Sequence, residues 1–541
     1  MYLNIIFNVI GGLGIFLYGM ENMSGGMQKL AGKRLKKILA ALTTNRIMAV
    51  LMGIFVTMLV QSSSVSTVMT IGFVNASLLT LKQALGVILG ANIGTTVTGW
   101  LLVLNIGKYG LPITGAAAIA YVFFRSDKAR TRSLTVMGLG LIFLGLDLMS
   151  NGLKPIRSMP EFIELFKMFN ADTYFGAVKV AVIGACITGI VQSSAATLGI
   201  TITLAVQGLI DYPTAVALVL GENVGTTVTA FLASLGATTN AKRAAYAHTI
   251  INIIGVIWVT SIFPLYIKFL GTIVDVENNI TFGIATAHTM FNVLNVILFI
   301  PFTGPLSTFL TKLVKDSGKS NEKVTKLDKL MVGTPSVVVG QTKIEVLTMG
   351  QNIKEMMFAL EETFAKNEMI SDAKLARLQK IEDDLDLYQK EVTDVNFLIL
   401  NKDLTDSLRE ETRKNLEVCD EYETISDYLM RIGKSIRKIQ DNDIQINEKA
   451  RKTLFDLNEN IEILFREVNI SYETKDKERF IKAIKKANEI TEKFRQARSF
   501  HLENAKEETS AIFSTSYMDI LNHYRRIRDH IFNIIEVFTR L

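Results

Sequence analysis

The stretch VQSSSVSTVM, residues 60–69, places Gln61 and three consecutive serines, Ser62 to Ser64, inside an apolar run. That run extends from about residue 47 to about residue 79. In hydrocarbon each unpaired polar group costs several kcal/mol. If the run is embedded in a membrane, the cluster must therefore face other protein groups or line a cavity.

A membrane domain is indicated by the distribution of apolar residues, most of which lie in the first 310 or so of the 541 residues. The chain is 49% hydrophobic and has a positive mean hydropathy of +0.29. A helix that crosses about 30 Å of hydrocarbon at 1.5 Å per residue needs about 20 apolar residues. The apolar runs that predict spanning helices are roughly residues 4–28, 82–105, 109–124, 132–152, 211–236, 244–269 and 283–312.

The chain contains an internal duplication. GANIGTTVTGWL at residues 90–101 reappears as GENVGTTVTAFL at residues 221–232, and QSSS at residue 61 reappears as QSSA at residue 192, both 131 residues later. GIFLYGMENMSGGM at residues 14–27 matches GLIFLGLDLMSNGL at residues 140–153, 126 residues later. Three features in the same order at nearly constant spacing predict two repeats, about residues 1–125 and 131–312.

The relative orientation of the repeats follows from counting crossings. If each QSS segment is a re-entrant hairpin that enters and leaves on one side, three crossings separate the first helices of the two repeats. An odd number predicts inverted repeats, a layout found in secondary transporters with sites near the bilayer midplane. The basic loops at residues 29–46 and 125–132 are expected to be cytoplasmic, and the C-terminal region with them.

The polar clusters of the two repeats are the candidate binding site. They comprise Gln61, Ser62, Ser63, Ser64, Asn92, Thr95 and Thr96 in the first repeat, and Gln192, Ser193, Ser194, Asn223, Thr226 and Thr227 in the second. Hydroxyls and carboxamides donate to the oxygens of an anion or turn an oxygen toward a cation. No Lys or Arg lies in these motifs, so a bound anion is expected to need a co-bound cation. The alternative is that Ser and Thr hydrogen-bond back to the carbonyl of the preceding turn.

Other polar residues lie in the apolar segments. His248 with Asn252, and His288 with Asn292, are each spaced by four and so lie on one helix face, either to relay protons or to join helices. Glu21 and Asp147 match between repeats and are expected toward helix ends. Glu222 has Ala91 as its counterpart in the repeat alignment, so the first repeat has no acid at this position. The difference indicates either a role in ion stoichiometry or a local salt link.

Several classes of function are not supported. The two cysteines, Cys186 and Cys419, give no disulfide framework or zinc site. The net charge of +6 is modest and no basic patch interleaved with aromatic residues occurs, so nucleic acid is not an expected partner. No GxxxxGK[ST], HExxH or GxSxG motif occurs, so we expect no enzyme and no ATPase. Energy would then come from an ion gradient.

The paired QSS and Gly-Asn-x-Gly-Thr motifs make the membrane domain resemble the type II sodium/phosphate cotransporter family. The resemblance implies two inverted repeats whose residues Gln61, Ser62, Ser63, Ser64, Gln192, Ser193 and Ser194 form the phosphate and sodium sites. It places Asn92, Thr95, Asn223 and Thr226 nearby. Ala195 stands where the first repeat has Ser64, so the second half of the site has one hydroxyl fewer.

The chain changes character after residue 318. A polar linker, residues 319–342, is expected to lead to a soluble helical bundle, residues 343–541, because apolar residues there step by three or four. This part resembles the PhoU family, and the resemblance implies a divalent or iron-type metal held by ExxxD pairs. The candidate ligands are Glu382, Asp386, Glu423 and Asp427. Solvated surface, or pairing with Lys and Arg, is the alternative for these acids. In RRIRD, residues 525–529, Arg525 stands where an acid is expected.

The prediction is an all-α, polytopic protein of the cytoplasmic membrane, with a membrane transport domain at residues 1–318 and a cytosolic bundle. We expect a sodium-coupled symporter of inorganic phosphate that needs no cofactor besides the coupling ions, with the PhoU-like domain in a regulatory role. The alternatives are a symporter of another small anion and a membrane-anchored phosphate sensor. Residue types do not decide the sodium stoichiometry, the direction of net flux or the oligomeric state.

Overall fold

The computed structural model describes residues 2–40, 45–104, 107–159, 164, 169–235, 237–315, 324–366, 370–504 and 510–539. Every regular element within these ranges is a helix. The described part of the chain divides into two compact units, Met1–Asn321 with Asp328–Val337, and Glu322–Leu327 with Val338–Leu541. The all-α prediction is confirmed for the described residues.

The helices of the first unit are short where polar motifs or prolines interrupt them. They are α1 Tyr2–Ala40, α2 Arg46–Val60, α3 Ser63–Asn75, α4 Leu81–Val103, α5 Gly107–Phe123, α6 Asp127–Leu153, α7 Tyr174–Val191, α8 Ser194–Val206, α9 Tyr212–Gly225, α10 Thr227–Ala233, α11 Thr239–Ser261, α12 Phe263–Ile273, α13 Ile280–Phe299 and α14 Thr303–Leu313. Two 3₁₀ turns, Lys154–Ser158 and Lys329–Gly333, complete this unit.

Seven helical segments among the described residues are long and apolar enough to cross a membrane. They are Leu3–Leu30, Leu81–Val103, Asp127–Ile156, Tyr174–Val191, Tyr212–Ala233, Thr239–Ser261 and Ile280–Phe299. This supports a multi-pass membrane protein. Tyr174–Val191 was not among the predicted spans, although its 18 residues qualify.

Three predicted spans differ from the observed helices. Run 244–269 is divided between α11 and α12 at Ile262, with Pro264 near the start of α12, where its missing N–H costs nothing. Run 283–312 is divided between α13 and α14 after Phe299, beside Pro301. Run 109–124 is α5, whose apolar part is shorter than a spanning segment and contains Pro112.

Glycines allow the paired helices to touch backbone to backbone. A Cβ on Gly90 of α4 would lie 2.0 Å from the Val50 carbonyl oxygen of α2. A Cβ on the equivalent Gly221 of α9 would lie 1.8 Å from the Ala181 carbonyl oxygen of α7. The α2–α4 contact of the first repeat thus recurs as α7–α9 in the second.

Part of the predicted linker is folded. The turn Lys329–Gly333 packs on α3, and Asn75 Nδ2 donates to Asp328 there. Thr325 N donates to Glu391 Oε2 at 3.0 Å within the second unit. Residues 319–323 of the predicted linker lie outside the described residues.

The second unit is built from long amphipathic helices. They are α15 Pro335–Lys366, α16 Asp372–Leu400, α17 Asp406–Gln440, α18 Glu448–Thr474, α19 Lys477–Asn504 and α20 Ala511–Thr539. Two of its buried tyrosines are paired with buried asparagines: Tyr422 Oη donates to Asn469 Oδ1 at 2.9 Å, and Tyr524 Oη donates to Asn458 Oδ1 at 3.0 Å. Such pairing is what burial of a phenol and an amide requires.

Candidate functional site

The first Gln-Ser-Ser motif forms a sharp break between α2 and α3. Gln61 ends α2 in the left-handed conformation, with φ 54° and ψ 28°. Ser62 then caps α3, since its side chain accepts a hydrogen bond from Val65 N at 3.3 Å. The amides of Ser63 and Ser64 precede the first intrahelical bond, and a helix N-terminus favours anions. We call Gln61 to Ser64 the first elbow.

The second motif repeats this geometry almost angle for angle. Gln192 ends α7 with φ 56° and ψ 25°. Ser193 caps α8, and its Oγ accepts from Ala196 N at 3.2 Å. We call Gln192 to Ala195 the second elbow. Both segments that the sequence singled out as interrupted helices therefore break at the same position and in the same way.

The two elbows line one cavity of about 220 Å³. Its described lining consists of Leu17, Met20, Glu21, Ser24, Gln61, Ser62, Ser63, Ser64, Thr95, Thr98, Gln192, Ser193, Ser194 and Ala195. Eight of the thirteen predicted site residues are in this set. Residues 131 positions apart in sequence thus meet at one place.

The other five predicted site residues do not line this cavity. Asn92 is bonded within the helix bundle: His248 Nε2 donates to Asn92 Oδ1 at 3.2 Å, and Asn92 Nδ2 donates to Asn252 Oδ1 at 3.2 Å. These bonds join α4 to α11, which is the helix-joining alternative for His248 and Asn252. Asn223 Nδ2 donates to Val219 O at 2.9 Å.

The three remaining threonines bond back to their own helices. Thr96 Oγ1 donates to Ile93 O at 2.8 Å, Thr226 Oγ1 to Glu222 O at 3.0 Å, and Thr227 Oγ1 to Val224 O at 2.7 Å. Thr95 differs from these three. Its hydroxyl is buried and lacks a hydrogen-bond partner within the described residues, and it faces the cavity.

Sequence reasoning missed three polar residues of the cavity, Glu21, Ser24 and Thr98. The expectation that Glu21 lies toward a helix end is wrong, because α1 extends from Tyr2 to Ala40 and places Glu21 in its middle. Ser24 Oγ donates to the Val60 carbonyl at 2.7 Å, at the C-terminal end of α2. The repeat alignment contained a signal, since Glu21 pairs with Asp147 and Ser24 with Ser150.

The two elbows differ in their surroundings. Gln61 is buried, at 8% exposure; its Nε2 donates to Met58 O at 2.6 Å, and its Oε1 accepts from Thr98 Oγ1 at 3.2 Å. Gln192 is exposed. Thr229, the repeat counterpart of Thr98, has a buried hydroxyl that lacks a partner among the described residues. Gln61 is therefore covered, whereas its counterpart Gln192 is open.

Glu222 and His288 lie together in the membrane unit. The distance from Glu222 Oε1 to His288 Nε2 is 3.7 Å, and the two residues are 0% and 1% exposed. Of the two readings of Glu222 from sequence, the structure shows the neighbour that a local salt link would require. Asn292 Nδ2 donates to His288 O at 3.0 Å, on the same helix.

The acids proposed as metal ligands in the second unit lie close to each other on α16 and α17. Burial, followed by the nearby acids, raises the pKa of Glu382, Asp386 and Glu423, and Asp427 is among those neighbours in each case. Asp427 pairs with Arg431 at 2.6 Å, and Gln379 Nε2 donates to Glu382 Oε2 at 2.6 Å. Within the described ranges, no three His, Cys, Asp or Glu side chains are placed to hold one metal ion. A metal role for the four acids stays a prediction.

Comparison with protein families gives two matches. A model described as Na+/Pi-cotransporter matches residues 15–151 and 164–286, which include both elbows. A PhoU domain model matches residues 454–538. The acids at residues 382–427 lie before that second match.

Individual proteins are similar over different parts of the chain. The putative inorganic phosphate export protein YjbB of Escherichia coli is 25% identical over 439 residues, 80% of this chain and 78% of that protein. The uncharacterized protein YqeW of Bacillus subtilis is 30% identical over 290 residues, 53% of this chain and 91% of that protein. Human sodium-dependent phosphate transport protein 2B is 35% identical over 98 residues, 18% of this chain and 14% of that protein.

No solved structure matches the chain. The family match spans both repeats, and this chain covers nine-tenths of a relative that is 30% identical to it. The chain therefore belongs to the Na+/Pi-cotransporter family and carries a PhoU domain near its C-terminal end.

Proposed function

We propose that this protein is a sodium-coupled symporter of inorganic phosphate in the cytoplasmic membrane, and that its PhoU-containing unit is cytosolic and regulates it. The observation that carries the proposal is the meeting of the two elbows in one cavity. Family membership supports phosphate as the substrate, as do relatives named for phosphate export and for sodium-dependent phosphate transport. Phosphate would be held by the amides and hydroxyls of both elbows.

The charge of the cavity supports coupling to a cation. Its described lining contains one carboxylate, Glu21, and no Lys or Arg. A phosphate bound there would lie in a low dielectric without a fixed positive neighbour, which is unfavourable. Sodium ions, bound through carboxamide, hydroxyl and backbone oxygens, would supply the missing charge. Each net positive charge moved inward gains about 2.3 kcal/mol per 100 mV of membrane potential.

The packing of α1 against α6 supports inverted repeats. A Cβ on Gly12 would lie 2.8 Å from the Gly145 carbonyl oxygen, and a Cβ on Gly19 would lie 2.8 Å from the Gly138 carbonyl oxygen. Gly12 is the repeat counterpart of Gly138, and Gly19 that of Gly145. Replacing each glycine by its repeat counterpart turns one contact into the other, as in a two-fold symmetric interface. The earlier glycine of α1 meets the later glycine of α6, so the two helices are antiparallel. If both helices cross the bilayer, the repeats have opposite orientations.

The unequal elbows support alternating access. In the inverted-repeat mechanism one repeat adopts the conformation of the other as the site opens to the opposite side. Here Gln61 is covered and bonded to Thr98, while Gln192 is exposed. We infer that the elbows are re-entrant hairpins, and that in the opposite state Gln192 is covered and accepts a hydrogen bond from Thr229.

The test is labelled phosphate uptake by purified protein in proteoliposomes, with and without an inward sodium gradient. Sodium-dependent uptake that excess sulfate leaves unchanged is the expected result. Inhibition by sulfate would assign the protein to a broader class of small anions, because serines and amides alone do not select phosphate. Absence of uptake from folded protein, under either condition, would overturn the symporter proposal.

Removing the second unit distinguishes a phosphate sensor from a phosphate transporter. A chain ending at Val337 retains both elbows and the turn Lys329–Gly333 of the first unit, so a transporter should still move phosphate in response to sodium, with altered regulation. A sensor would lose its only output. Loss of uptake on truncation, with the membrane unit still folded, would favour the sensor.

A further inference from the structure

Glu222 of α9 and His288 of α13 form an isolated ionisable pair inside the membrane unit. Both side chains are buried, at 0% and 1% exposure, and the 3.7 Å between Oε1 and Nε2 is longer than a hydrogen bond. Both carboxylate oxygens and both ring nitrogens lack a hydrogen-bond partner among the described residues. None of these four atoms lines the cavity of the two elbows.

The surrounding elements provide few charges. The titratable side chains on the described helices packed against α9 and α13 are Lys82 of α4; Tyr174, Lys179 and Cys186 of α7; Lys242, Arg243, Tyr246 and His248 of α11; Tyr266 and Lys268 of α12; and Tyr212 of α9 itself. Helices α8 and α10 carry none. Among the described residues, His288 is the basic group that lies within 4 Å of the Glu222 carboxylate.

Four of these groups hydrogen-bond to other partners. Tyr266 Oη donates to Ala287 O at 2.7 Å, beside His288, and Tyr212 Oη donates to Gly283 O at 3.2 Å. His248 donates to Asn92, and Arg243 donates to the Val314 carbonyl at 2.6 Å. Lys82 and Lys268 are exposed. The charge of Glu222 is therefore balanced by His288 or by a proton on the carboxylate.

The chemistry of such a pair is that of a proton site. With neither group protonated, the Glu222–His288 pair carries one net negative charge away from water, which is strongly unfavourable. One proton, on Oε1 or on Nε2, makes the pair neutral. Release of that proton to water leaves the carboxylate charged, so release requires that water reach the pair.

We propose that Glu222 and His288 form a proton-binding site of the membrane unit, which takes up one proton from one side of the membrane, holds it in the buried state and releases it on the other side when the transport cycle hydrates the pair. The bound proton follows from the structure described here. Its release during transport rests on the symport function proposed above. The first repeat has Ala91 at the position of Glu222, so the site belongs to the second repeat alone.

Infrared spectroscopy of the full chain in lipid tests the bound proton. If the proton resides on the carboxyl, the carbonyl stretch of a protonated acid appears at neutral pH and is lost in Glu222→Gln; if it resides on the imidazole, the imidazolium bands are lost in His288→Gln. Glu277→Gln, which removes an exposed acid between α12 and α13, should leave both signals unchanged. Glu222→Asp keeps a carboxyl, and a shift of the band in that variant would assign it even if Glu222→Gln folds poorly. Wild-type spectra that neither variant changes would overturn the proton site.

Transport assays in proteoliposomes test the release of the proton during the transport cycle. With equal pH on both sides and a sodium gradient, proton movement is recorded with a trapped indicator beside phosphate uptake. Phosphate re-equilibrates its own protons equally in every variant. The wild type should therefore move one more proton per phosphate than Glu222→Gln does, and Glu277→Gln should match the wild type. Equal ratios in wild type and Glu222→Gln would overturn proton release. If no variant moves phosphate, the symport function fails, while the infrared result still decides the proton site.

Discussion

Gln61 and Gln192 are placed in a backbone conformation that glutamine rarely adopts. Their φ angles of 54° and 56° lie in the left-handed region, which costs a residue with a side chain about 1–2 kcal/mol. Glycine would avoid that cost but would remove an amide from the cavity. Two equal departures from local preference, at equivalent positions, are typical of functional sites.

A residue-scale prediction concerns the hydrogen bond between Thr98 and Gln61. Thr98→Val keeps the shape of the side chain and removes the donor, which should destabilise the observed state by about 1 kcal/mol. A change of that size shifts the ratio of the observed state to the alternate state about fivefold. Thr229→Val, which removes the hydroxyl without a partner, should shift the ratio in the opposite direction by destabilising the alternate state.

The measurement is the labelling rate of a cysteine at position 195, which lines the cavity. Cys186 and Cys419 are first replaced by alanine, and a membrane-impermeant thiol reagent is applied from each side in turn. The protein without the threonine substitutions should be labelled faster from one side of the membrane. Thr98→Val should raise the labelling rate from the other side, and Thr229→Val should lower the labelling rate from that other side. Equal labelling in both variants would mean that these threonines do not control access.

At this scale the sequence predicted the elbow residues well and their neighbours less well. Gln61, Ser62 and Ser63 were identified because polar groups in an apolar run must line something. Asn92 was predicted near the site, yet it bonds to His248, because spacing along one helix does not say which neighbouring helix each face meets. Glu21 and Thr98 required the tertiary structure for the same reason.

Between elements, the contact of α7 with α9 depends on the absence of a side chain at Gly221. A methyl group there would lie 1.8 Å from the Ala181 carbonyl oxygen, so Gly221→Ala must separate the two helices or distort one. We expect the free energy of unfolding to fall by about 1–3 kcal/mol or more. The matched control is Gly115→Ala on α5, where no atom lies within 4 Å of the added methyl group. Thermal unfolding monitored by size-exclusion chromatography compares the two.

That comparison has a clear sign. Gly115→Ala should be neutral or slightly stabilising, because alanine favours helix more than glycine does. Gly221→Ala should unfold at a lower temperature. Equal midpoints for the two variants would contradict the close contact of α7 with α9.

A second prediction at this scale concerns the acids of α16 and α17. The pKa of Asp386 is raised by burial and then by Asp383 and Asp427, so the folded state binds its proton more tightly than the unfolded state does. The region is therefore less stable above the raised pKa and regains that stability as pH falls. Asp386→Asn should protect α16 by at most a few tenths of a kcal/mol at pH ~7, because Asp386 is exposed and solvent screens its repulsion from the nearby acids. It should have no effect below pH ~3, where the acid is protonated in both states.

Hydrogen exchange of α16 amides in the full chain measures this effect, with the exposed Asp394→Asn on the same helix as control. A divalent cation added at pH ~7 also tests the metal prediction. If the four acids bind it, the wild type should gain more protection than Asp386→Asn. Equal protection in all variants, with and without the cation, would exclude both effects.

Helix boundaries show what local sequence decides and what it does not. The breaks after Ser261 and Phe299 have local causes in Pro264 and Pro301, yet the apolar runs continue through them and were predicted as single spans. An apolar run indicates that a segment is buried in lipid or protein. It does not reveal a break of one or two residues in the helix. The elbows were anticipated because the polar interruption is longer.

At the scale of the whole molecule, the repeat was visible in sequence because three motifs kept their order and spacing. The differences between the repeats were visible only in part. Glu222 against Ala91 is a difference in sequence, whereas the covered Gln61 and the exposed Gln192 are a difference in conformation between nearly identical motifs. If the protein is an alternating carrier, as proposed above, its sequence specifies both states and does not indicate which one a structure shows.

We propose that the two elbows act together in one phosphate and sodium site, and this claim can be tested at each elbow separately. Gln61→Gly and Gln192→Gly remove each amide while suiting the left-handed backbone, and Thr203→Ala alters α8 away from the cavity, where its hydroxyl bonds to Gly199 O. The measurement is the initial rate of sodium-driven phosphate uptake in proteoliposomes. Loss of a hydrogen bond to a charged ligand costs about 1.5–3 kcal/mol, so each glycine variant should lose at least about tenfold while Thr203→Ala stays near wild type. A wild-type rate in either glycine variant would contradict the claim.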